Sequence, residues 1–270
     1  MTVSTAHVGA FFRRDFRLAV AYPLQFTMQW VSIAIAVFGA FFISKLVPNS
    51  TMFGLGHHGS YFEYAVVNLA FFSIMQVTMQ SVDVAIRNDQ MLGTIEATLA
   101  SSPNVATYVL ASMAWPLALA TAQAVGYLGL AALLFGAGQF AHANIPLTLL
   151  CFVLIVTAMV PVGVLSSCFT LRFKQAAPAQ FLVGSGMSLV SGVLFPIALL
   201  PFPVRVISWL IPVTHALNAM RAALHGAPVA SVTGDIVWLA AVSVLGLPAA
   251  LWLFRKAVHA ERAAGTLAQY

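Results

Sequence analysis

Residues 87–103 read Arg87-Asn88-Asp89-Gln90-Met91-Leu92-Gly93-Thr94-Ile95-Glu96-Ala97-Thr98-Leu99-Ala100-Ser101-Ser102-Pro103. This is the most polar segment between two long apolar runs, and it holds Arg87, Asp89 and Glu96. Leu92, Ile95 and Leu99 fall at i, i+3 and i+7, which places them on one helical face, with Thr94 and Glu96 off it. Ser102 followed by Pro103 is a restart signal: serine caps a helix, and proline is tolerated at the first position, where its missing N–H would be unpaired anyway. The spacing predicts a short amphipathic helix over about 88–101, between two membrane spans, with an apolar stripe offered to something else. On spacing alone, a solvated loop with helical periodicity fits as well.

The surrounding composition explains why the flanking runs are membrane spans. Of the 270 residues, 61% are hydrophobic and 7% charged, against roughly 25% charged in a soluble domain; mean hydropathy is +0.93. A span needs roughly 20 apolar residues, and the chain divides into six such runs: 24–46, 62–84, 103–135, 145–171, 178–199 and 235–254. The third exceeds one bilayer thickness, so it tilts or stands clear of the membrane at its start, and Trp115-Pro116 is a site for a kink. Residues 1–270 are thus expected to form one all-α polytopic membrane domain. Cys151 and Cys168 share one apolar run, too far apart along it for a disulfide, and read as packing residues. Met1–Ala10 carries no basic region ahead of a short apolar core, so no cleavable signal peptide is expected.

Ahead of the first span, 8–22 places Arg13, Arg14 and Arg17 on one side of a helix and Phe12, Phe16, Ala19 and Val20 on the other. That is the pattern of an interfacial helix on a charged leaflet; a basic overhang is the alternative. With this end inside, Arg13, Arg14, Arg17, Arg87, Arg172, Lys174, Arg255, Lys256 and Arg262 lie in the cytoplasm and only Lys45, Arg205 and Arg221 outside. The bias puts both termini, and the stretch at 87–103, in the cytoplasm. Trp238 and Trp252 flank the sixth span as interfacial anchors.

Between the fifth and sixth spans, Leu200-Pro201-Phe202-Pro203 interrupts the helix, Val204–Ile211 is too short to cross, and Pro212 interrupts again. Thr214 is placed to cap a second short helix ending at Leu224, with His215, Asn218 and Arg221 on one face. We read 200–224 as an outer re-entrant hairpin, tolerated where protein or a water-filled cavity covers it; a loop resting in the headgroups is the alternative. Arg221 is expected near the outer interface, its charge reaching water. His57-His58 in the outer loop is short of a metal site.

The chain has no Gly-x-x-x-x-Gly-Lys-Ser/Thr phosphate loop, no His-Glu-x-x-His and no Gly-x-Ser-x-Gly, so no catalytic, cofactor or metal residues are assigned. Glu63 and Asp83 fall near the ends of the second span and no charge lies mid-span, which disfavours proton-driven transport. The deep polar residues are uncharged, among them Gln29, Asn68, Gln76, Gln80, Gln123 and Ser188. Most serve to join helices. Phe26, Trp30, Gln76, Gln80, Gln123 and Ser188 are the candidates for a translocation path.

Gly93-Thr94-Ile95-Glu96, followed by Leu99 and Ser102-Pro103, resembles the coupling-helix signature of type-2 ABC exporter permeases. Ser191-Gly192-Val193-Leu194-Phe195-Pro196, Leu200-Pro201 and Pro212-Val213-Thr214-His215 through Arg221 are similar to the second signature of that family, except that Ile211 stands where asparagine is usual. The resemblance implies a permease of the drug, lipo-oligosaccharide or polysaccharide exporter kind in a bacterial cytoplasmic (inner) membrane. Two copies of the chain would pair as a homodimer. Two separate ATPase subunits, holding ATP and Mg, would dock on Leu92, Gly93, Thr94, Ile95, Glu96 and Leu99. It also implies a lateral gate for an amphipathic or lipid-linked substrate at the first and fifth spans; no nucleic acid is involved. The rival expectation is a membrane-embedded enzyme or a secondary carrier that does not use ATP.

Overall fold

Apolar runs become helices in a bilayer because each segment must satisfy its own backbone N–H and C=O groups. The computed structural model describes residues 5–46, 61–101, 104–136, 143–173, 177–193 and 197–263, and these are helical with no strand among them. In order they are α1 (Thr5–Ala21), α2 (Pro23–Leu46), α3 (Tyr61–Met91), α4 (Ile95–Ser101), α5 (Val105–Phe135), α6 (Ile145–Phe173), α7 (Ala177–Val190), α8 (Phe202–Leu210), α9 (Pro212–Leu224) and α10 (Thr233–Ala263). Among the described residues, five stretches are long and apolar enough to cross a membrane: α2, α3, α5, α6 and Val229–Ala263.

The helix limits differ from the expected runs in several places, and α10 continues to Ala263, beyond the expected 254. The second span does not stop at Val84; α3 continues to Met91, so 88–91 belong to it and the short helix shrinks to Ile95–Ser101. The fifth run does not continue to Leu199. α7 ends at Val190, after 14 residues or about 21 Å, and Gly192 turns the chain at φ 81°. A further correction is at helix starts. α5 is capped by Asn104, whose side chain accepts from Thr107 N–H at 2.7 Å, while Ser102 and Pro103 lie outside the described residues. In the hairpin the helix breaks where the prolines lead one to expect, with Pro203 second in α8 and Pro212 first in α9, but Thr214 lies inside α9 without capping it. The loop with His57-His58, and Lys174, also lie outside the described residues.

α3, α5, α6 and α10 form the centre: α6 packs along α10, and α3 packs against α5 and α6. α9 covers one end of this group, touching α6, α10 and α3, and α1 runs against α5 at the other. Two glycines mark close approaches between helices. A Cβ on Gly163 would stand 2.7 Å from the Thr78 carbonyl oxygen and 3.0 Å from Met79 Cα, so α3 and α6 touch backbone to side. A Cβ on Gly246 would meet the Pro161 ring at 3.2 Å. Polar ties add to this packing. Asp83, expected at a span end, is fully buried inside α3 and accepts hydroxyl protons from Ser166 (2.9 Å) and Thr170 (2.8 Å) of α6. Thr157 and Ser243 join α6 to α10 at 3.0 Å. α2 lies to one side, held to α3 and α5 by Ile33, Val37, Ala40, Phe62 and Ala131, with Phe41 stacked on Phe135.

Candidate functional site

The α4 end of the molecule is built from a helix stop. At Met91 the helix must satisfy its last carbonyls, and a residue in the left-handed region does so with least strain when it is glycine. Gly93 has φ 68°. Its N–H donates to the Gln90 carbonyl (3.0 Å), and the Thr94 N–H donates to the Asp89 carbonyl (2.8 Å), the paired bonds of a Schellman turn. Thr94 Oγ1 donates to the same Asp89 carbonyl at 3.4 Å, and the Thr94 carbonyl accepts from Thr98 N–H as α4 begins. The Gly-Thr pair therefore converts the end of α3 into the start of α4 with no slack residue between them.

The turn also resets the helical phase, which changes the face read from spacing. Ile95 is 0% exposed, in one core cluster with Val82, Ile86, Tyr108, Val258 and Phe254. Leu99 is half-buried against the same cluster. Leu92, expected on their stripe, is instead 75% exposed beside exposed Met91. Ile95 is therefore an inward root of α4 and cannot belong to an outward docking face. The outward surface is Met91, Leu92, Gly93, Thr94, Glu96 and Ala97, all exposed. Two contacts hold this turn from the side: the Tyr108 hydroxyl donates to Asp89 Oδ2 at 3.2 Å, and Phe11 of α1 meets the Tyr108 ring edge-on.

α1 lies along α5. Phe12 and Phe16 both pack edge-on against Trp115 of α5, while Arg13, Arg14 and Arg17 are exposed and Arg14 pairs with Asp15 at 2.8 Å. Between α1, α2 and α5 lies a cleft of about 420 Å³, lined among others by Asp15, Tyr22, Gln25, Phe26, Gln29 and Trp115. A second cleft of about 340 Å³ lies at the other end of α2, bounded by Gly39, Ile43, Tyr61, Tyr64, Asn68 and Phe72. The six path candidates fall into separate groups. Phe26 and Trp30 meet edge-on, and Gln123 Nε2 donates to Gln29 Oε1 at 3.2 Å, between α2 and α5. Gln76 instead faces α7 at Gly184, where Ser188 is buried one turn further and donates to the Ser185 carbonyl. Gln80 is half-buried on α3.

At the hairpin end Arg221 is turned inward, contrary to the expectation that it reaches water. Its Nη2 donates to Asn68 Oδ1 (2.7 Å) and the Gly192 carbonyl (2.8 Å), and the guanidinium lies over the Tyr64 ring at 4.3 Å. Tyr64 OH donates to the Gly192 carbonyl and Asn68 Nδ2 to the Val193 carbonyl. One arginine thus ties α3, the turn after α7 and α9 together. Only the Asn68 polarity at depth hinted at this partner; a separation of more than a hundred residues hides the pairing.

His215 sits between two acceptors. Nδ1 meets Asp235 Oδ1 at 2.5 Å and Nε2 meets the Trp209 carbonyl at 2.8 Å, so the imidazolium form satisfies both. Burial pulls its pKa down, but the bonds to Asp235 and to the Trp209 carbonyl, with the Asp235 charge, outweigh that and raise it. A folded value above the unfolded one gives stabilisation that is complete below about pH 6.5 and is lost as pH rises through the folded value. The thermal midpoint of the purified chain is therefore expected to fall as pH rises above about 6.5, and His215→Gln to flatten that dependence. An unchanged slope in the variant would assign the dependence elsewhere.

Pro201, Pro203, Pro212, His215 and Arg221, the hairpin residues singled out from sequence, are thus together in α8, α9 and the turn before them. No group of three or more His, Cys, Asp or Glu among the described residues is placed to hold a metal ion. The sequence model of a family described as "ABC-2 family transporter protein" matches residues 44–252, and the chain belongs to that family. No curated protein matches the chain. Family membership makes it a transport membrane subunit, not itself catalytic, and implies partnership with an ABC ATPase subunit.

Proposed function

We propose that the chain is the membrane half of an ATP-driven exporter, and that Met91–Ala97 is the surface through which a separate ATPase, carrying ATP and Mg, drives it. The observation that carries this reading is the Schellman turn at Gly93: it presents Leu92, Thr94, Glu96 and Ala97 outward while Ile95 is rooted in the permease core. The Lys and Arg bias supports a cytoplasmic position for this end and for both termini, and membership of the family supports a bacterial inner membrane. Two copies of the chain and two of the ATPase make the working unit, with α7 and the hairpin completing six crossings and an outer re-entrant segment. The cargo is an amphipathic or lipid-linked molecule. The clefts at the two ends of α2 support this, since each has apolar walls and a polar rim of Tyr, Gln or Asn.

The test is Glu96→Gln in the complex formed with a co-expressed ATPase. Glu96 is exposed in the first turn of α4. If its charge meets a basic residue of the ATPase, the variant complex stays assembled, and substrate-stimulated ATP hydrolysis and transport fall several-fold. A charge that serves only the helix N-terminus, worth about 0.3–1 kcal/mol, leaves transport near normal. ATP hydrolysis by the purified chain alone would contradict the whole reading. The rival, a proton-driven carrier, has one observation in its favour, the buried Asp83. Asp83→Asn separates them: the carrier loses its dependence on a pH gradient, whereas the exporter has none to lose.

A further inference from the structure

We propose that the cleft between α4, α5 and the end of α10 is a binding site for the phosphate group of an anionic phospholipid in the adjacent leaflet. The cleft has a volume of about 190 Å³. Arg255, His259 and Arg262 of α10 line one wall, at i, i+4 and i+7 on a single face, and Leu99, Val105 and Val258 make the apolar part. Asn104, the cap of α5, also lines it.

The charges around the cleft favour an anionic ligand. The chain has seven Asp and Glu residues. Six have partners elsewhere: Asp15 with Arg14, Glu63 facing His225, Asp83 with Ser166 and Thr170, Asp89 with Tyr108, Asp235 with His215, and Glu261 with Arg172. The seventh, Glu96, is exposed on the outward side of α4. Among the described residues no carboxylate is paired with Arg255 or Arg262, so the two arginines of the cleft suit an anionic ligand.

Depth identifies the source. Trp252 is exposed on α10 with Lys256 Nζ 3.8 Å from its ring centroid, an interfacial pair. Arg255 lies about 5 Å beyond Trp252 along the helix, within a headgroup layer about 5–8 Å thick, and His259 and Arg262, about 10 and 15 Å beyond it, extend the basic face from that layer toward the water. A basic pocket between helices at that depth recognises lipid phosphate. The apolar wall of Leu99, Val105 and Val258 receives the glycerol end. Occupancy also braces α4 through Leu99. That consequence rests on the coupling reading above; the lipid site does not.

The probe is palmitoyl-oleoyl-phosphatidylglycerol. The full chain, purified from mixed phosphatidylcholine–phosphatidylglycerol nanodiscs, is examined by native mass spectrometry for retained lipid. Phosphatidylglycerol is expected to be retained in preference to phosphatidylcholine, and Arg255→Gln/Arg262→Gln to cut that retention about tenfold or more. Lys256→Gln, which removes the same kind of charge one residue from Arg255, is expected to retain it as wild type. Phosphatidylglycerol is also expected to slow amide exchange over Ile95–Ser101 in wild type and not in the double variant. Equal loss in Lys256→Gln overturns the site in favour of general surface charge. Displacement of the lipid by millimolar inorganic phosphate overturns the lipid assignment. A double variant that keeps its lipid but no longer co-purifies an ATPase makes the cleft a protein contact, which also overturns it. Because the retention assay contains no ATPase and no transport, its failure leaves the exporter reading intact, and the reverse holds as well.

Discussion

Ile95→Asp is expected to destroy assembly of the transporter from inside this chain, whereas Leu92→Asp is expected to destroy it from outside. Ile95 is 0% exposed and packs with Val82, Tyr108 and Val258. Its burial contributes roughly 1.5–3 kcal/mol, and an aspartate there loses that and adds an unpaired charge in a dry site, for a total of about 3–5 kcal/mol. The purified variant should melt well below wild type and lose monodispersity before any partner is added. Leu92 is 75% exposed on the outward turn. Its aspartate variant should melt within about a degree of wild type and still fail to co-purify the ATPase. Thermal melting followed by pull-down on both variants reads the difference. A normally melting Ile95→Asp chain would refute the inward placement of α4, and a fully assembled Leu92→Asp complex would remove Met91–Ala97 as the docking surface.

Gly163→Ala is the second change with a large expected effect. The added methyl would stand 2.7 Å from the Thr78 carbonyl and 3.0 Å from Met79 Cα, both backbone atoms. No side-chain rotation relieves that contact, so α3 and α6 must separate, at a cost of about 1–3 kcal/mol for overpacking. Separation also stretches the Asp83 bonds to Ser166 and Thr170, which lie on the same pair of helices. Gly129→Ala on α5 is the control. Nothing lies within 4 Å of a Cβ there, and alanine in a helix interior is better than glycine by about 0.5–1 kcal/mol. The two substitutions should therefore shift the thermal midpoint in opposite directions. A stabilised Gly163→Ala chain would mean that the helices do not meet there.

The apolar runs, the two-faced first helix and the paired short helices of 200–224 were legible because each depends on local pattern. What escaped the pattern depends on phase or on distance. Leu92 and Ile95 fall on one stripe only if the helix is continuous. Gly93 at φ 68° breaks it, and the signal for that break was present in a glycine followed by threonine at the end of a long run. The fifth run reads as apolar through Leu199, and composition cannot register a turn at Ser191-Gly192 whose carbonyl is taken up by Arg221 and Tyr64 from other helices. Arg221 read as a surface charge because an isolated cation prefers water. Its acceptor, Asn68, lies on α3, more than a hundred residues away.

A seven-residue helix slung between flexible loops would absorb a push from below by bending. α4 has little such compliance on its α3 side. It is fused to a 31-residue α3 through a turn with every bond made, and its root at Ile95 sits in the same cluster as α5 and α10. Under the coupling we propose, displacement at Glu96 is delivered as a rotation of α3 about its own packing, with gearing set by helix length: about 35–40 Å of rod carries it from Met91 to Asn68 and Tyr64. Those two residues hold Arg221 of the hairpin, so the outer end of the molecule is the far arm of the lever.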